Sequence, residues 1–211
     1  MPDVKYSDVV DSLREAYDIS AADRDSRGAV PWNWKVVERA SFLQQLRNNR
    51  CERLLEVGAG TGHDSIFFQN SGLEVIATDL SPAMVACCLQ KTLDARVMDF
   101  LHLDFPDRYF DAVYALNCIL HVPNADLPAV FEAVWRLLRP GGLFYVGIYG
   151  GKSVEGVQNN EVPARFFSWR TDEEIKNYAN RLFDIVDFHV VEVAKKGSLH
   201  FQSLTLRLPD L

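Results

Sequence analysis

Leu54-Leu55-Glu56-Val57-Gly58-Ala59-Gly60-Thr61-Gly62-His63-Asp64 is the stretch of sequence that decides the fold. It begins as a short apolar strand, continues through three glycines at alternate positions, and ends where a helical pattern starts. Glycine permits a tight turn and close approach of a ligand to the backbone. The free N–H groups at a helix N-terminus attract a carboxylate or phosphate. A turn without a ligand would explain one glycine, but three glycines after an apolar strand favour a ligand-binding loop.

The spacing of these glycines narrows the choice of ligand. The dinucleotide fingerprint needs a third glycine at its sixth position. Counted from Gly58, that position is His63. The loop therefore fails the dinucleotide pattern, which argues against a nicotinamide cofactor.

Strands and helices alternate on the C-terminal side of this loop. Apolar runs predict strands at residues 53–57, 74–78, 95–98, 110–116 and 143–149, and helical spacing predicts helices at 62–70, 82–91 and 125–138. Thr61 and Asp64 are spaced for a capping box, and Ser81-Pro82 is a typical helix start. Pro140-Gly141-Gly142 is expected to end the third helix and reverse the chain. This alternation predicts an α/β fold with a doubly wound, mostly parallel, Rossmann-like sheet.

The flanking segments have a different pattern. Residues 1–50 are expected to form a helical cap within the same domain, with a Gly/Pro/Trp-rich joint at 28–34 and a second helix at 35–46. Residues 51–211 are expected to form the core, with a lid insertion at 150–170. Thr171 and Glu174 form a capping-box pattern. Strands at 183–193 and 200–208, joined by Lys195-Lys196-Gly197-Ser198, predict an antiparallel hairpin that closes one side of the sheet.

Polar residues follow three of the predicted strands. Asp79 lies 19 residues after Gly60, where a carboxylate can accept both hydroxyls of a ribose. Asp99 follows the next strand in Val97-Met98-Asp99-Phe100, and Asn117-Cys118 follows the fourth. Asp79 could instead be a turn or cap residue, and Asp99 a solvated residue at a strand end.

Together these motifs resemble those of class I S-adenosylmethionine-dependent methyltransferases, whose first motif is E/D-x-G-x-G-x-G. The resemblance covers about residues 36–208. It implies S-adenosylmethionine as the cofactor, with Asp99 accepting the adenine amino group and Asn117 and Cys118 at the methionine end. The cofactor-binding residues that it implies are Tyr17, Glu56, Gly58, Ala59, Gly60, Gly62, Asp79, Leu80, Met84, Met98, Asp99, Phe100, Asn117 and Cys118.

The fourth motif bears on the methyl acceptor. Enzymes of this family that methylate exocyclic amines of bases or glutamine carry D/N-P-P-Y/F, whereas this chain has Asn117-Cys118-Ile119-Leu120. That departure argues against DNA and release-factor substrates. We therefore expect methyl transfer to O, N or C of a small molecule. The alternatives are a non-catalytic S-adenosylmethionine-binding protein and an NAD-dependent oxidoreductase.

Several residues are candidates for the acceptor end of the site. His121 follows the fourth strand and could be a general base, since histidine titrates near neutral pH, or it could be a structural histidine. His63 is more consistent with a contact to cofactor or solvent. The substrate candidates are Trp34, Tyr149, Arg165 and Phe167, although these aromatic residues could equally be local packing.

Composition excludes several other classes of function. The net charge is −7 and the sequence has no basic stripe, so we expect no nucleic-acid partner. No run of 18 apolar residues and no secretory signal pattern occur, so we expect no membrane association. Four cysteines without CxxC spacing predict reduced thiols in the cytoplasm, and the scattered histidines predict no metal site. A monomer or a homodimer is compatible with this sequence.

Overall fold

The computed structural model describes residues 4–28, 33–158, 163–193 and 199–210. Its helices are α1 (Tyr6–Gly28), α2 (Asn33–Asn48), α3 (His63–Asn70), α4 (Pro82–Gln90), α5 (Leu127–Leu137) and α6 (Asp172–Ala179), with a 3-10 turn at Ile119–His121. Its strands are β1 (Arg53–Val57), β2 (Glu74–Asp79), β3 (Asp94–Val97), β4 (Phe110–Leu116), β5 (Leu138–Gly150), β6 (Val154–Gln158), β7 (Arg165–Trp169), β8 (Asp184–Val191) and β9 (His200–Arg207).

Seven strands form one sheet in the order β3-β2-β1-β4-β5-β9-β8. The pairs from β3 to β5 are parallel, and β9 pairs antiparallel with both β5 and β8. The predicted doubly wound, mostly parallel sheet with a C-terminal antiparallel hairpin is therefore confirmed. Strands β1 and β4 are neighbours although they are not consecutive. Ligands of open α/β sheets bind at such a switch point.

Helices cover both faces of the sheet. On one face Phe131 of α5 and Ile175 of α6 are fully buried in a large apolar cluster that also includes Phe144 of β5. On the other face Phe42 of α2 and Phe68 of α3 pack around Tyr114 and Tyr145, which are stacked with their ring centres 4.9 Å apart. Strands buried on both faces explain why β1, β4 and β5 are continuous apolar runs.

Two of the three predicted caps are present. The Ser81 hydroxyl accepts the N–H of Met84 at the start of α4, and Thr171 and Glu174 form a reciprocal capping box on α6. The predicted capping box at Thr61 is wrong. Helix α3 begins after Gly62, which has φ +83°, and Asp64 instead forms an ion pair with Arg39 at 2.6 Å.

The predicted reversal at Pro140-Gly141-Gly142 is also wrong. Helix α5 ends at Leu137, and these three residues already belong to β5. The Gly141 N–H donates to the Leu208 carbonyl, and the Leu208 N–H donates to the Gly142 carbonyl, both at 2.9 Å. Pairing with Leu208, far away in the sequence, therefore draws residues 140–142 into the sheet.

The insertion after β5 is ordered as a separate hairpin. Strands β6 and β7 pair antiparallel, and Arg170 is buried beneath them, with its Nε–H donating to Asn124 Oδ1 at 2.7 Å. The loop predicted at 195–198 lies outside the described residues, as do residues 29–32 of the predicted joint. Within the described parts of the chain, every helix is too short or too polar to span a bilayer.

Candidate active site

A cavity of about 420 Å³ opens at the carboxyl ends of β1, β2 and β4, beneath helix α1. Every residue implied as cofactor-binding lines it except Gly62, and His121 lines it too. Gly62 lies behind the loop, because a Cβ added there would meet Leu93 and Cys88 rather than the cavity. The lining residues that had been predicted are Tyr17, Glu56, Gly58, Ala59, Gly60, Asp79, Leu80, Met84, Met98, Asp99, Phe100, Asn117, Cys118 and His121.

The glycine loop forms the floor of this cavity. Gly58 has φ +69°, and a Cβ built on it would lie 2.4 Å from Cβ of Cys118, so only glycine fits there. Gly60 has φ +56° and has open space around its Cβ position. The two glycines therefore serve different purposes: the first allows β1 and β4 to approach, and the second keeps space free.

Asp79 lies at the end of β2 against this loop. Its Oδ2 accepts the Gly60 N–H at 2.8 Å, and its Oδ1 accepts the Ser81 N–H at 2.9 Å. Burial raises the pKa of Asp79 to about 6, and the two backbone hydrogen bonds partly offset that rise. Each carboxylate oxygen can accept a further hydrogen bond, which leaves capacity for a pair of ligand hydroxyls.

Glu56 is the second acidic residue of the floor. It is buried and accepts a hydrogen bond from the Ser65 hydroxyl. Burial raises its pKa well above the usual range, and the charge of Asp64 raises it further. Burial at this position therefore favours the neutral form of the Glu56 carboxyl group more than exposure to water would.

The end of the cavity at β3 is flat and largely apolar. Met98 and Phe100 flank Asp99, and the Tyr6 ring of α1 lies 6.0 Å from the Phe100 ring. Asp99 Oδ1 accepts the N–H of Leu101 at 2.8 Å, so this carboxylate also stabilises the turn that follows β3.

Two residues that line the cavity each carry a buried polar atom with no hydrogen-bond partner among the described residues. One atom is Oδ1 of Asn117, a residue held at φ +54° directly after β4, and the other is Nε of Arg39 on α2. Buried polar atoms are normally paired, and an unpaired one calls for an explanation such as a ligand. Asn117 offers an acceptor and Arg39 offers a donor, which suits the ammonium and carboxylate groups of an amino acid.

The opposite end of the cavity is closed by a chain of hydrogen bonds. The Tyr17 hydroxyl lies 2.5 Å from Nε2 of His121, and Nδ1 of His121 lies 2.6 Å from the Phe166 carbonyl oxygen. A carbonyl can only accept, so Nδ1 carries the proton and Nε2 accepts from Tyr17. Burial lowers the pKa of His121 to about 3, and the imidazole is therefore neutral at physiological pH.

The four predicted substrate residues lie outside the cavity wall, in two groups. Arg165 donates to the Tyr17 hydroxyl at 3.1 Å, and the Phe167 ring lies 4.7 Å from the His121 ring, so both support its closed end from behind. The Trp34 ring packs 4.4 Å from Phe201 and 6.1 Å from Tyr149, which places Trp34 and Tyr149 in an aromatic cluster beside β9.

Helix α1 contributes residues that the sequence analysis had not assigned to the site. Tyr6, Leu13 and Arg24 line the cavity together with Tyr17. Their spacings of 7, 4 and 7 residues place all four on one face of the helix. That periodicity was the available signal for Tyr6, Leu13 and Arg24. His63, expected to contact cofactor or solvent, lines the cavity too. The other lining residues are Arg27, Lys35, Arg39, Thr61, Asp64, Thr78, Leu103 and Leu116.

Four further contacts attach α1 to the rest of the fold. The Tyr6 N–H donates to Asp126 before α5 at 2.7 Å, and the Ala83 N–H of α4 donates to Asp18 at 3.0 Å. Near the C-terminal end of α1, Asp25 forms an ion pair with Lys91 at 2.6 Å, and Nε2 of His63 lies 3.0 Å from the Asp25 carbonyl oxygen. The helix is therefore attached along its whole length.

Comparison with known sequences matches the part of the chain that contains the glycine loop. Residues 54–142 match a protein family described as "Methyltransferase domain". The chain is 30% identical over 168 residues to phosphoethanolamine N-methyltransferase 2 of Caenorhabditis elegans, covering 74% of this chain and 36% of that protein. It is 28% identical over 115 residues to phosphoethanolamine N-methyltransferase 1 of Zea mays, covering 51% and 23%. The matched part therefore spans about a quarter to a third of these relatives.

The other similarities cover a shorter stretch of sequence or have a lower sequence identity. Sterol 24-C-methyltransferase erg6 of Aspergillus fumigatus is 40% identical over 62 residues, or 29% of this chain and 15% of that protein. A Burkholderia thailandensis 1,6-didemethyltoxoflavin-N1-methyltransferase, solved with its substrate and S-adenosylhomocysteine, has a TM-score of 0.70 at 22% identity, covering 94% and 88%. The cyclase SpnF has a TM-score of 0.75 at 17% identity, covering 96% and 98%. These two structures share the fold.

Proposed function

The chain belongs to the class I, Rossmann-like methyltransferase family, and from this premise we propose that it transfers the methyl group of S-adenosylmethionine to a small-molecule acceptor. One observation carries the proposal. A single cavity joins a ribose-type carboxylate at Asp79 and unpaired groups on Asn117 and Arg39 to a closed polar end at Tyr17 and His121. Its volume falls within the range of about 300–1,000 Å³ that is usual for small-molecule sites.

The residues along the cavity fit this cofactor in order. Met98, Asp99 and Phe100 would hold the adenine, and Asp79 the ribose hydroxyls. Gly58 and Gly60 would let the methionine part lie against the backbone. The Asn117 Oδ1 would accept from its ammonium group, and the Arg39 Nε–H would donate to its carboxylate. When bound, the cofactor supplies a methyl group already activated by a sulfonium charge.

The protein's contribution is then mainly alignment and exclusion of water. Holding two reactants in line can be worth about 7–11 kcal/mol of the barrier in favourable cases. Helix α1 covers the cavity from one side, and the β6–β7 hairpin supports Tyr17 and His121 from behind. We propose that residues 1–50 act as a cap and the 150–170 insertion as a lid that together keep water out during transfer.

His121 is proposed to act together with Tyr17. With a pKa of about 3, its imidazole is a weak base near neutral pH but a good hydrogen-bond acceptor. It holds the Tyr17 proton and leaves the Tyr17 oxygen, already bonded by Arg165, to accept from an O–H or N–H of the acceptor. We propose that the pair orients the lone pair of the acceptor towards the methyl group.

Two alternatives to this function are tested by the experiments described next. A non-catalytic S-adenosylmethionine-binding protein is kept because the fold alone does not establish methyl transfer: SpnF, which shares this fold over nearly its whole length, is named as a cyclase. An NAD-dependent oxidoreductase is disfavoured by His63 at the sixth position of the glycine pattern.

Calorimetry with S-adenosylhomocysteine and with NADH tests the cofactor. We expect micromolar binding of the first and none of the second, and the reverse would overturn the proposal. Incubation with S-adenosylmethionine and a panel of small amines, phenols and acids, followed by mass spectrometry for a gain of 14 Da, tests transfer. Binding of S-adenosylhomocysteine without methylation of any panel member would favour the non-catalytic alternative.

We also propose a cytoplasmic location and no nucleic-acid or membrane partner. All four cysteines are free thiols, which suits a reducing compartment, and the net charge of −7 disfavours binding to phosphate backbones. The oligomeric state, monomer or homodimer, is to be measured by sedimentation.

A further inference from the structure

Arg24 is a cation of the cavity wall without a carboxylate partner among the residues that the structure describes. Its Nε–H donates to the Ser20 hydroxyl at 3.1 Å, and its guanidinium carbon lies 4.8 Å from the centre of the Tyr17 ring. Two other arginines of the wall are paired: Arg39 with Asp64 at 2.6 Å and Arg27 with Asp23. Arg24 thus differs from these two arginines in having no ion pair, although the more distant charge of Asp79 also acts on it.

The surroundings of Arg24 make that charge costly. Burial lowers the pKa of Arg24, and the positive charges of Arg165 and Arg27 lower it further, against opposing effects of Tyr17 and Asp79. Removing a cation from water costs free energy unless an anion or hydrogen bonds compensate. A bound anion would therefore be stabilised here more strongly than on an open surface.

The position of Arg24 separates it from the methionine end of the cofactor site. Arg39, with its unpaired Nε, is held by Asp64 in the first turn of α3, next to the glycine loop. Arg24 instead stacks on Tyr17, whose hydroxyl contacts both His121 and Arg165. Arg39, which suits the carboxylate of the methyl donor, thus lies on α2. Arg24, which lies beside Tyr17, is on α1.

We infer that the methyl acceptor carries an acidic group, a phosphate or a carboxylate, and that Arg24 binds this group inside the cavity beside Tyr17. The inference rests on the proposed methyl transfer and narrows its substrate class. An anion held at Arg24 places the rest of a small acceptor within reach of the Tyr17 hydroxyl. Arginine suits such a role because its planar fork can donate two parallel hydrogen bonds to phosphate or carboxylate oxygens.

Anion binding to the protein saturated with S-adenosylhomocysteine tests the inference. The probes are inorganic phosphate, acetate and phosphoethanolamine, titrated by calorimetry or by ligand-detected NMR at constant ionic strength. We expect the wild type to bind phosphoethanolamine or one of the two simple anions. Arg24→Gln should weaken that binding at least ten-fold, Arg24→Lys should weaken it less, and neither should change the Kd of S-adenosylhomocysteine more than about two-fold.

A matched control is Arg14→Gln, because Arg14 lies on the same helix but pairs with Asp11 outside the cavity. It should leave every probe affinity unchanged. No binding of any probe by the wild type, or equal binding by wild type and Arg24→Gln, would overturn the inference while leaving cofactor binding intact. A larger loss of S-adenosylhomocysteine affinity than of anion affinity would assign Arg24 to the donor carboxylate instead. Failure of the wild type to bind S-adenosylhomocysteine at all would instead count against the proposed methyl transfer.

Discussion

The hydroxyl of Tyr17 lies 2.5 Å from Nε2 of His121, and this contact joins residues 104 positions apart in the sequence. Arg165 donates to the same hydroxyl oxygen at 3.1 Å, so the single hydroxyl proton points to His121. The Phe166 carbonyl fixes the other side of the imidazole. Helix α1, the turn after β4 and the β6–β7 hairpin therefore meet at the Tyr17–His121 pair in the cavity.

Tyr17 and His121 are expected to act as one unit in catalysis. Tyr17→Phe removes the hydroxyl and keeps the ring, and His121→Asn removes the acceptor that orients it. We predict that each variant lowers kcat about 10–100-fold. The double variant should have a kcat no lower than that of the less active single variant, because the effects of coupled residues do not add. The measurement is steady-state transfer to an identified acceptor, with S-adenosylhomocysteine affinity as the control. Losses that multiply would show that the two residues act separately.

Asp79 is expected to make cofactor binding sensitive to acid. Burial raises its pKa to about 6 in the free protein, and ribose hydroxyls donate best to the ionised carboxylate. The affinity for S-adenosylhomocysteine should therefore be constant above about pH 7 and should fall as the pH drops through 6, by up to about ten-fold per unit.

Asp79→Asn should remove this pH dependence and weaken binding at pH 7.5 by roughly 10–100-fold, the size of a lost charge-assisted hydrogen bond. Asp94→Asn on the exposed edge strand β3 is the matched control and should behave like the wild type. A pH profile that is the same in Asp79→Asn and wild type would remove Asp79 from the ribose site.

The two loop glycines should respond differently to the same substitution. Both have positive φ, so alanine costs about 1–2 kcal/mol of backbone strain at each. At Gly58 the new Cβ would also meet Cys118 at 2.4 Å, whereas at Gly60 it meets open space. Gly58→Ala should therefore lower the free energy of unfolding clearly more than Gly60→Ala. Gly60→Ala should reduce S-adenosylhomocysteine affinity, because its Cβ occupies ligand space. Chemical denaturation and calorimetry measure the two effects, and equal destabilisation by both variants would contradict the geometry.

A histidine outside the site should make stability depend on pH. Partial burial tends to lower the pKa of His189, but hydrogen bonds to the buried Glu38 at 3.1 Å and to Asp187 at 2.7 Å hold it above the usual value. The folded state then binds this proton more tightly than the unfolded state. The stabilisation is complete below about pH 6.5 and is lost as the pH rises through the raised value.

The difference in Tm between wild type and His189→Gln should therefore be larger at pH 5.5 than at pH 9. A difference that does not change between these two pH values would contradict the ion pair with Glu38.

Local sequence was sufficient for the parallel core and for many of the residues that line the cavity. Apolar runs and the Ser81-Pro82 cap place the strands and α4, and polar residues at strand ends must converge at the carboxyl edge of a parallel sheet. This is why Asp79, Asp99 and Asn117 were predictable.

The remaining features depend on contacts between distant residues. The first residues of β5 pair with Phe110 and Leu208, and the β6–β7 hairpin rests on the buried Arg170 and its bond to Asn124. The sequence alone does not show where the side chains of Arg24 and Arg39 lie. Only the packing of α1 and α2 over the sheet edge turns them towards the cavity.

Helix α1 determines how a ligand can leave. Its contacts reach α5, the turn after β4, α4 and α3, through Tyr6, Tyr17, Asp18 and Asp25 respectively. We expect a ligand beneath α1 to leave on this side when several of these contacts open together, because no single one frees the helix. The dissociation rate of product would then follow the opening rate of α1 rather than the strength of any one ligand contact. Residence time and amide hydrogen exchange in residues 6–28 would change in parallel.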